Sequence, residues 1–191
     1  EGYFHNRSEF DNPFLMVASL FQPHDICQWF RMNLEDISEL RYPELAGKLP
    51  ELPSNFQLSY AESEVVGELR SVLESSRGNW SELQWRYYLY VYYRQVEMVD
   101  AEIGRILQGL EDSGERENTL VMITSDHGEG MAEHQMIRKN YLYEASAKVP
   151  LIVSMPDQIR SDINDTSSLV SGIDLVPTMC DYAGITSPGN A

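Results

Sequence analysis

The sequence predicts an α/β domain in which helices cover both faces of a mostly parallel sheet. Three short apolar runs have the length of strands and are bounded by turn residues: 13–20, 119–124 and 149–156. Stretches with helical periodicity separate them, and strands that alternate with helices usually form a parallel sheet. With 191 residues, 42% of them hydrophobic, the chain is long enough to bury one ordinary core.

The charge balance excludes some classes of partner. The chain has 14 Lys and Arg against 30 Asp and Glu, a net charge of −16. A nucleic acid or an anionic membrane must be met by positive charge, so neither is an expected partner. No apolar run approaches the length that crosses a bilayer. A site for an anionic substrate would therefore need local cations or a bound metal.

The first predicted strand, 13–20, leads directly to Pro23 and His24. By itself, His24 is best interpreted as a histidine of a surface loop, although an imidazole can transfer protons near neutral pH. Short helical patterns occur at 37–40 and 61–74. The prolines within 49–56 indicate an extended, stiffened loop between them.

A long amphipathic helix is predicted next. Ser81 and Gln84 have the spacing of a capping box, and Gly114 ends the pattern. Between them, apolar residues recur every three or four positions: Trp85, Leu89, Tyr92, Val96, Val99, Ile103, Ile106 and Leu110. This periodicity indicates a helix that covers the sheet, with its tyrosines in the core and at its rim.

The second strand, 119–124, brings Asp126 and His127 to its carboxyl end, where open α/β sheets place their sites. Lys139 follows in the same segment. A carboxylate, an imidazole and a lysine together can hold a cation and an anionic substrate at once.

The third strand, 149–156, is followed by a last helix with Asp174 as a plausible N-cap and Gly184 as its end. The two cysteines, Cys27 and Cys180, have no metal-ligand spacing and do not form a disulfide framework. We expect both to be free.

The order of these motifs resembles the sulfatase family of the alkaline phosphatase superfamily. The matching string is Asp126-His127, Lys139, Tyr143-Glu144 and Val149-Pro150-Leu151. The segment from Glu133-His134 to Ser146 is most similar to the arylsulfatase K and iduronate sulfatase type. The resemblance, which extends from about Pro13 to Gly184, implies an alkaline phosphatase-like fold, with residues 1–191 as the C-terminal part of a sulfatase catalytic domain.

The resemblance also implies roles for these residues. Asp126 and His127 would be ligands of a calcium ion, and Lys139 would bind a sulfate oxygen. His24 would bind the sulfate or protonate the departing alcohol, which makes His24 and Lys139 the expected catalytic residues. His134 would either reach the substrate or orient its loop. The implied substrate is a sulfated carbohydrate or an aryl sulfate, and the implied location is periplasmic, secreted or lysosomal.

The chain departs from the family in two motifs. Sulfatases use a formylglycine made from a Cys/Ser-x-Pro/Ala-x-Arg motif, and an Asp-Asp pair supplies further metal ligands. Neither motif occurs in this sequence, and neither Cys27 nor Cys180 fits the first. We therefore expect both motifs upstream of Glu1 and no hydrolysis by this chain alone. Two alternatives stay open: a phosphonate or phosphodiester hydrolase of the same superfamily, and an inactive relative that binds anions or carbohydrates.

Overall fold

In a computed structural model, residues 12–33, 43–58 and 62–189 are described; the helical pattern predicted at 37–40 lies outside them. The described helices and strands are α1 (Ile26–Asn33), α2 (Glu64–Arg77), α3 (Glu82–Asp112), β1 (Val121–Thr124), α4 (Glu144–Ala147), β2 (Leu151–Ser154) and α5 (Leu175–Tyr182). Short 3₁₀ turns occur at Pro43–Lys48, Arg116–Asn118, Glu133–Gln135 and Gly172–Asp174. None of the helices in these ranges is long and apolar enough to span a membrane.

Helix α3 is the long helix that the sequence predicts. The Ser81 hydroxyl accepts the Gln84 backbone N–H at 3.3 Å, and the Gln84 side-chain oxygen accepts the Ser81 N–H at 2.7 Å, which confirms the capping box. The helix ends at Asp112, and Gly114 follows with a φ of 74°. A residue without Cβ adopts this left-handed conformation at little cost, so the glycine ends the helix as predicted.

The core lies between the first half of α3 and the segment 131–141. Its buried residues are Ile26, Leu73, Trp85, Tyr88, Leu89, Ala132, Met136, Ile137 and Tyr141. The Trp85 ring packs edge-on against Trp80 and Phe56, with ring centroids 4.9 and 5.5 Å apart. No residue of β1 or β2 belongs to this described cluster. The first half of α3 therefore packs on the central segment of the chain, whereas the sequence suggests that this helix covers the sheet.

The α/β class is as predicted, but the described strands are not parallel. β1 and β2 pair antiparallel, with Val121 opposite Ser154 and Thr124 opposite Leu151. A parallel pair needs a crossover that carries the chain back to the opposite end of the sheet, usually on a helix. Here the connection contains only the 3₁₀ turn Glu133–Gln135 and the four-residue helix α4, and the chain re-enters the sheet beside the residue where it left.

The strand predicted at 13–20 is not formed in the structure. Its residues have no regular secondary structure, and the side chains of Leu15 and Val17 are 76% and 80% exposed. A strand is stable only when its backbone groups bond to a neighbouring strand, and none of the described residues pairs with this segment. An apolar run indicates a preference for extended backbone, but it carries no information about a neighbouring strand.

The last helix, α5, follows Asp174, as predicted, and ends before Gly184, whose φ is 67°. The Asp174 carboxylate, however, does not cap α5. It accepts the backbone N–H of Ser171 at 2.7 Å and so closes the preceding turn, because the backbone at Asp174 is already helical. Neither Cys27 nor Cys180 forms a disulfide.

Candidate active site

An open cleft of about 450 Å³ lies where the loop after β1 faces the segment that leads into α1. It is lined by residues 19–24 and 125–129, together with Tyr92 and Lys139. Four residues singled out from the sequence, His24, Asp126, His127 and Lys139, therefore meet in one place. Among the described lining residues, Lys139 is the single lysine or arginine.

The loop after β1 is held against the segment around α4 by its own backbone. The N–H of Gly128 donates to the Ser146 carbonyl at 2.8 Å, and the N–H of Glu129 donates to the Ala145 carbonyl at 2.9 Å. The segments approach so closely that a Cβ on Gly128 would collide with the Ala145 carbonyl oxygen. Glycine is therefore required here by space, and this contact fixes the position of His127.

Asp126 and His127 face each other at the start of this loop. His127 Nε2 lies 3.5 Å from Asp126 Oδ2, and the Asp126 side chain is 84% exposed. Burial by itself would raise the pKa of Asp126, but the His127 charge and hydrogen bonds from the backbone and Ser125 outweigh it and lower the pKa. Asp126 is therefore a carboxylate at neutral pH.

The two side chains fit a role as cation ligands. His127 Nδ1 lies 2.8 Å from the Gly128 carbonyl oxygen, which can only accept, so Nδ1 donates there and Nε2 is the ring nitrogen on the side of Asp126. Within the described ranges, no group of three or more His, Cys, Asp or Glu side chains is placed to hold a metal. Calcium takes about six to eight ligands, so this pair would supply part of a calcium site.

Lys139 and His24 meet across the cleft, although 115 positions separate them in the sequence. Lys139 Nζ lies 3.0 Å from His24 Nδ1 and 4.0 Å from the Cys27 sulfur. The His24 ring also packs against Phe21, with ring centroids 4.9 Å apart. An ammonium and an imidazole side by side present several N–H donors, a suitable arrangement for an oxyanion.

The segment that carries Lys139 into the cleft has an unusual backbone. Five of its non-glycine residues have a positive φ: Met131, Ala132, His134, Gln135 and Arg138. Each costs on the order of 1 kcal/mol, and such residues persist only where their surroundings hold them. The Tyr141 hydroxyl lies 2.6 Å from the Ile137 carbonyl oxygen and 2.9 Å from that of Arg138, and so supports the end of the segment.

His134 lies outside the lining of the cleft. Its ring stacks on Tyr143 with centroids 4.5 Å apart, and its Nδ1 is buried without a hydrogen-bond partner among the described residues. Its backbone N–H donates to the Asn55 carbonyl at 2.9 Å, and its carbonyl accepts from Arg70. These contacts favour the loop-orienting role that the sequence left open; a contact with substrate stays a prediction.

Three side chains hold this segment from behind, and sequence reasoning missed two of them, Arg70 and Glu62. Arg70, only 7% exposed, pairs with Glu62 through two nitrogens, and the Tyr143 hydroxyl donates to the same carboxylate at 2.8 Å. Glu129 is 5% exposed and accepts the Tyr88 hydroxyl at 2.8 Å. Glu129 directly follows Asp126-His127-Gly128, and the sequence predicts a structural or supporting role for it. No pattern in the sequence points to Arg70 or Glu62.

Comparison with known proteins gives related sequences over most of the chain. A family model described as Sulfatase matches residues 2–185. The Δ4,5-hexuronate-2-O-sulfatase of Bacteroides thetaiotaomicron is 31% identical over 184 residues, which cover 92% of this chain and 37% of that protein. Arylsulfatase K of Rattus norvegicus is 35% identical over 188 residues, 93% of this chain and 32% of that protein. The chain thus spans about a third of the length of these relatives.

The structural comparison agrees with the sequences. A solved structure described as a 2-O GAG sulfatase superposes with a TM-score of 0.82 at 28% identity, over 99% of this chain and 42% of that one. The fold is therefore the alkaline phosphatase-like fold that the resemblance implied, present as a partial domain. With a family match over nearly all of its residues, the chain belongs to the sulfatase family.

Proposed function

We propose that the protein is a sulfuric ester hydrolase for sulfated carbohydrates, and that residues 1–191 form the C-terminal part of its catalytic domain. The observation that carries the proposal is the meeting of His24, Asp126, His127 and Lys139 in one cleft, with Lys139 Nζ 3.0 Å from His24 Nδ1. The chain's membership of the sulfatase family supports the reaction class.

Each residue has a role that its chemistry allows. Lys139 binds a sulfate oxygen as a point charge and so offsets the net charge of −16 locally. His24 donates a hydrogen bond to the sulfate or a proton to the leaving alcohol. Asp126 and the Nε2 atom of His127 hold a calcium ion, which when bound neutralises charge on the sulfate group. The nucleophile of the reaction lies outside the residues that we assign.

The substrate class is inferred from the relatives. One is a hexuronate-2-O-sulfatase and another is a 2-O GAG sulfatase, and both names describe sulfate esters on sugars. A sulfated sugar of the glycosaminoglycan type is therefore the first substrate to test. The cleft volume of about 450 Å³ lies within the range of roughly 300–1,000 Å³ that is usual for small-molecule sites.

Anion binding is the part of the proposal that this chain can test directly. We expect inorganic sulfate to bind, and Lys139→Met to weaken it by about 10- to 100-fold, because a hydrogen bond to a charged group is worth roughly 1.5–3 kcal/mol. Lys48→Met is the matched control, since Lys48 is exposed and outside the cleft lining. Isothermal titration calorimetry with sodium sulfate measures both. Equal affinities for wild type and Lys139→Met would contradict the assignment of Lys139.

Turnover tests the reaction class. The protein at its full natural length is incubated with calcium and a 2-O-sulfated uronic acid disaccharide, and released sulfate is measured by ion chromatography. A phosphodiester of similar size serves as the comparison substrate. Faster cleavage of the phosphodiester would favour the second hydrolase class, and binding without turnover would favour an inactive relative.

A further inference from the structure

Glu129 connects its own loop to two other parts of the molecule through one carboxylate oxygen. Its backbone continues the loop of Asp126 and His127, where the Glu129 N–H is bonded to the Ala145 carbonyl at 2.9 Å. Its Oε1 atom accepts the Tyr88 hydroxyl of α3 at 2.8 Å and also accepts the backbone N–H of Arg138. The same oxygen thus connects the pair of cation-ligand residues, the buried helix and the residue directly before Lys139.

The bond to Arg138 acts at a position where the backbone needs support. Arg138 has a φ of 68°, the last of the five positive values in its segment. A residue with a side chain keeps this conformation only when its surroundings impose it. The chain direction at Arg138 decides where the Lys139 side chain leaves the backbone, and so whether Nζ reaches the 3.0 Å contact with His24.

Tyr88 holds Glu129 in turn. The Tyr88 side chain is only 1% exposed, inside the core formed with Trp85 and Leu89. Burial and the negative charge of Glu129 raise the pKa of Tyr88 well above its usual value, so the phenol keeps its proton at neutral pH. Tyr88 is therefore a permanent donor on a rigid helix, and Glu129 has a fixed orientation from which it can hold Arg138.

We propose that Glu129 is a positioning residue that places Lys139 beside His24, with Tyr88 as its anchor. The inference rests on the proposed function only in taking Lys139 as the sulfate-binding group. In this role, Glu129 acts through the backbone of Arg138 and needs no contact with substrate. What it requires is an acceptor oxygen at the position of Oε1, not a negative charge.

The experiment uses the His24 ring as a reporter of the lysine. The full chain is labelled with ¹³C,¹⁵N-histidine, which gives four ring signals, and the His24 signal is assigned with His24→Asn. Lys139→Met supplies the reference signal without a neighbouring ammonium. We expect Glu129→Leu to shift the His24 signal at least halfway to that reference. Glu129→Gln should leave it near the wild-type position, because an amide oxygen has two lone pairs and accepts both bonds.

A purely structural role would lower the melting temperature in both Glu129 variants without moving the His24 signal. If circular dichroism shows that Glu129→Leu does not fold, Tyr88→Phe becomes the deciding variant, because it keeps the aromatic ring and removes only the hydroxyl that anchors Glu129. We expect Tyr88→Phe to shift the His24 signal by an intermediate amount. The proposal is overturned if Glu129→Leu or Tyr88→Phe folds and keeps the wild-type His24 signal, or if Glu129→Gln shifts that signal as far as Glu129→Leu does.

Sulfate titration of the same samples separates this inference from the proposed function. If the wild-type chain binds sulfate, Glu129→Leu should weaken that affinity by about the same factor as Lys139→Met. Glu129→Gln should leave the affinity unchanged. If the wild-type chain does not bind sulfate, the proposed function fails, while the His24 signal still decides whether Glu129 positions Lys139.

Discussion

Replacing Gly128 with alanine tests the close packing that positions the cleft. The new Cβ would collide with the Ala145 carbonyl oxygen and lie 3.0 Å from its carbon and 3.3 Å from the Lys148 carbonyl oxygen. All three contacts are with backbone atoms, which cannot rotate away. The two segments must therefore separate, and the hydrogen bonds from Gly128 to Ser146 and from Glu129 to Ala145 are weakened or lost.

The expected loss of stability in Gly128→Ala follows from the lost hydrogen bonds and the forced contacts. Each backbone hydrogen bond contributes about 1 kcal/mol, and forcing extra atoms into a packed site costs roughly 1–3 kcal/mol. We expect Gly128→Ala to lower the free energy of unfolding by about 3–5 kcal/mol, which corresponds to roughly 6–20 °C in melting temperature for a chain of this size. Urea unfolding followed by circular dichroism measures the first quantity, and thermal unfolding measures the second.

Gly104→Ala is the matched control. Gly104 lies inside α3, and a Cβ there meets no atom within 4 Å. Alanine forms helices better than glycine by about 0.8–1.0 kcal/mol, so this variant should be slightly more stable than wild type. If Gly128→Ala unfolds within about 0.5 kcal/mol of wild type, the close approach of the two segments does not exist in solution and the reasoning is wrong.

Three further predictions concern stability. Burial alone would raise the pKa of Glu62, but hydrogen bonds from Arg70 and Tyr143 outweigh it and hold the pKa below its usual 4.5. The contribution of ionised Glu62 to stability is therefore complete above about pH 4.5 and is lost as the pH falls through the lower pKa of the folded state. Between about pH 7 and pH 2, the melting temperature should fall less steeply in Glu62→Gln than in wild type. Identical curves for the two proteins would contradict this prediction. Trp85→Ala should cost about 3–5 kcal/mol in urea unfolding, because Trp85 is 2% exposed in the core, and a cost below about 1 kcal/mol would refute that packing. Ser81→Ala should cost about 1 kcal/mol and Ser81→Gly only a few tenths, and equal losses would argue against the cap.

The local features were predicted well because their physical causes are local. The capping box at Ser81 and the three-to-four spacing of apolar residues specify α3 within a few residues of its observed ends. Gly114 and Gly184 end helices because each adopts a positive φ that other residues avoid. Likewise, Asp126 and His127 are neighbours in the chain, so their meeting at the end of β1 needed no tertiary information.

Sequence patterns could not decide in the same way whether 13–20 pairs as a strand, or that β1 and β2 pair antiparallel. An apolar run of strand length reports only a preference for extended backbone and burial, whereas a sheet requires a partner at a fixed register. The direction of β2 depends on how the connection from residue 125 to 150 packs against α3, and no local pattern in those residues encodes it.

The sequence by itself determined the family, the long helix and the residues with the chemistry to bind a cation and a sulfate. Only the tertiary structure decided that Lys139 reaches His24, that Glu129 holds Arg138 and Tyr88 with one oxygen, and that Arg70 and Glu62 support the segment with positive φ values. The physical reason is that composition, periodicity and caps act over a few residues. These contacts instead join side chains that only the packing of the core brings within hydrogen-bond distance.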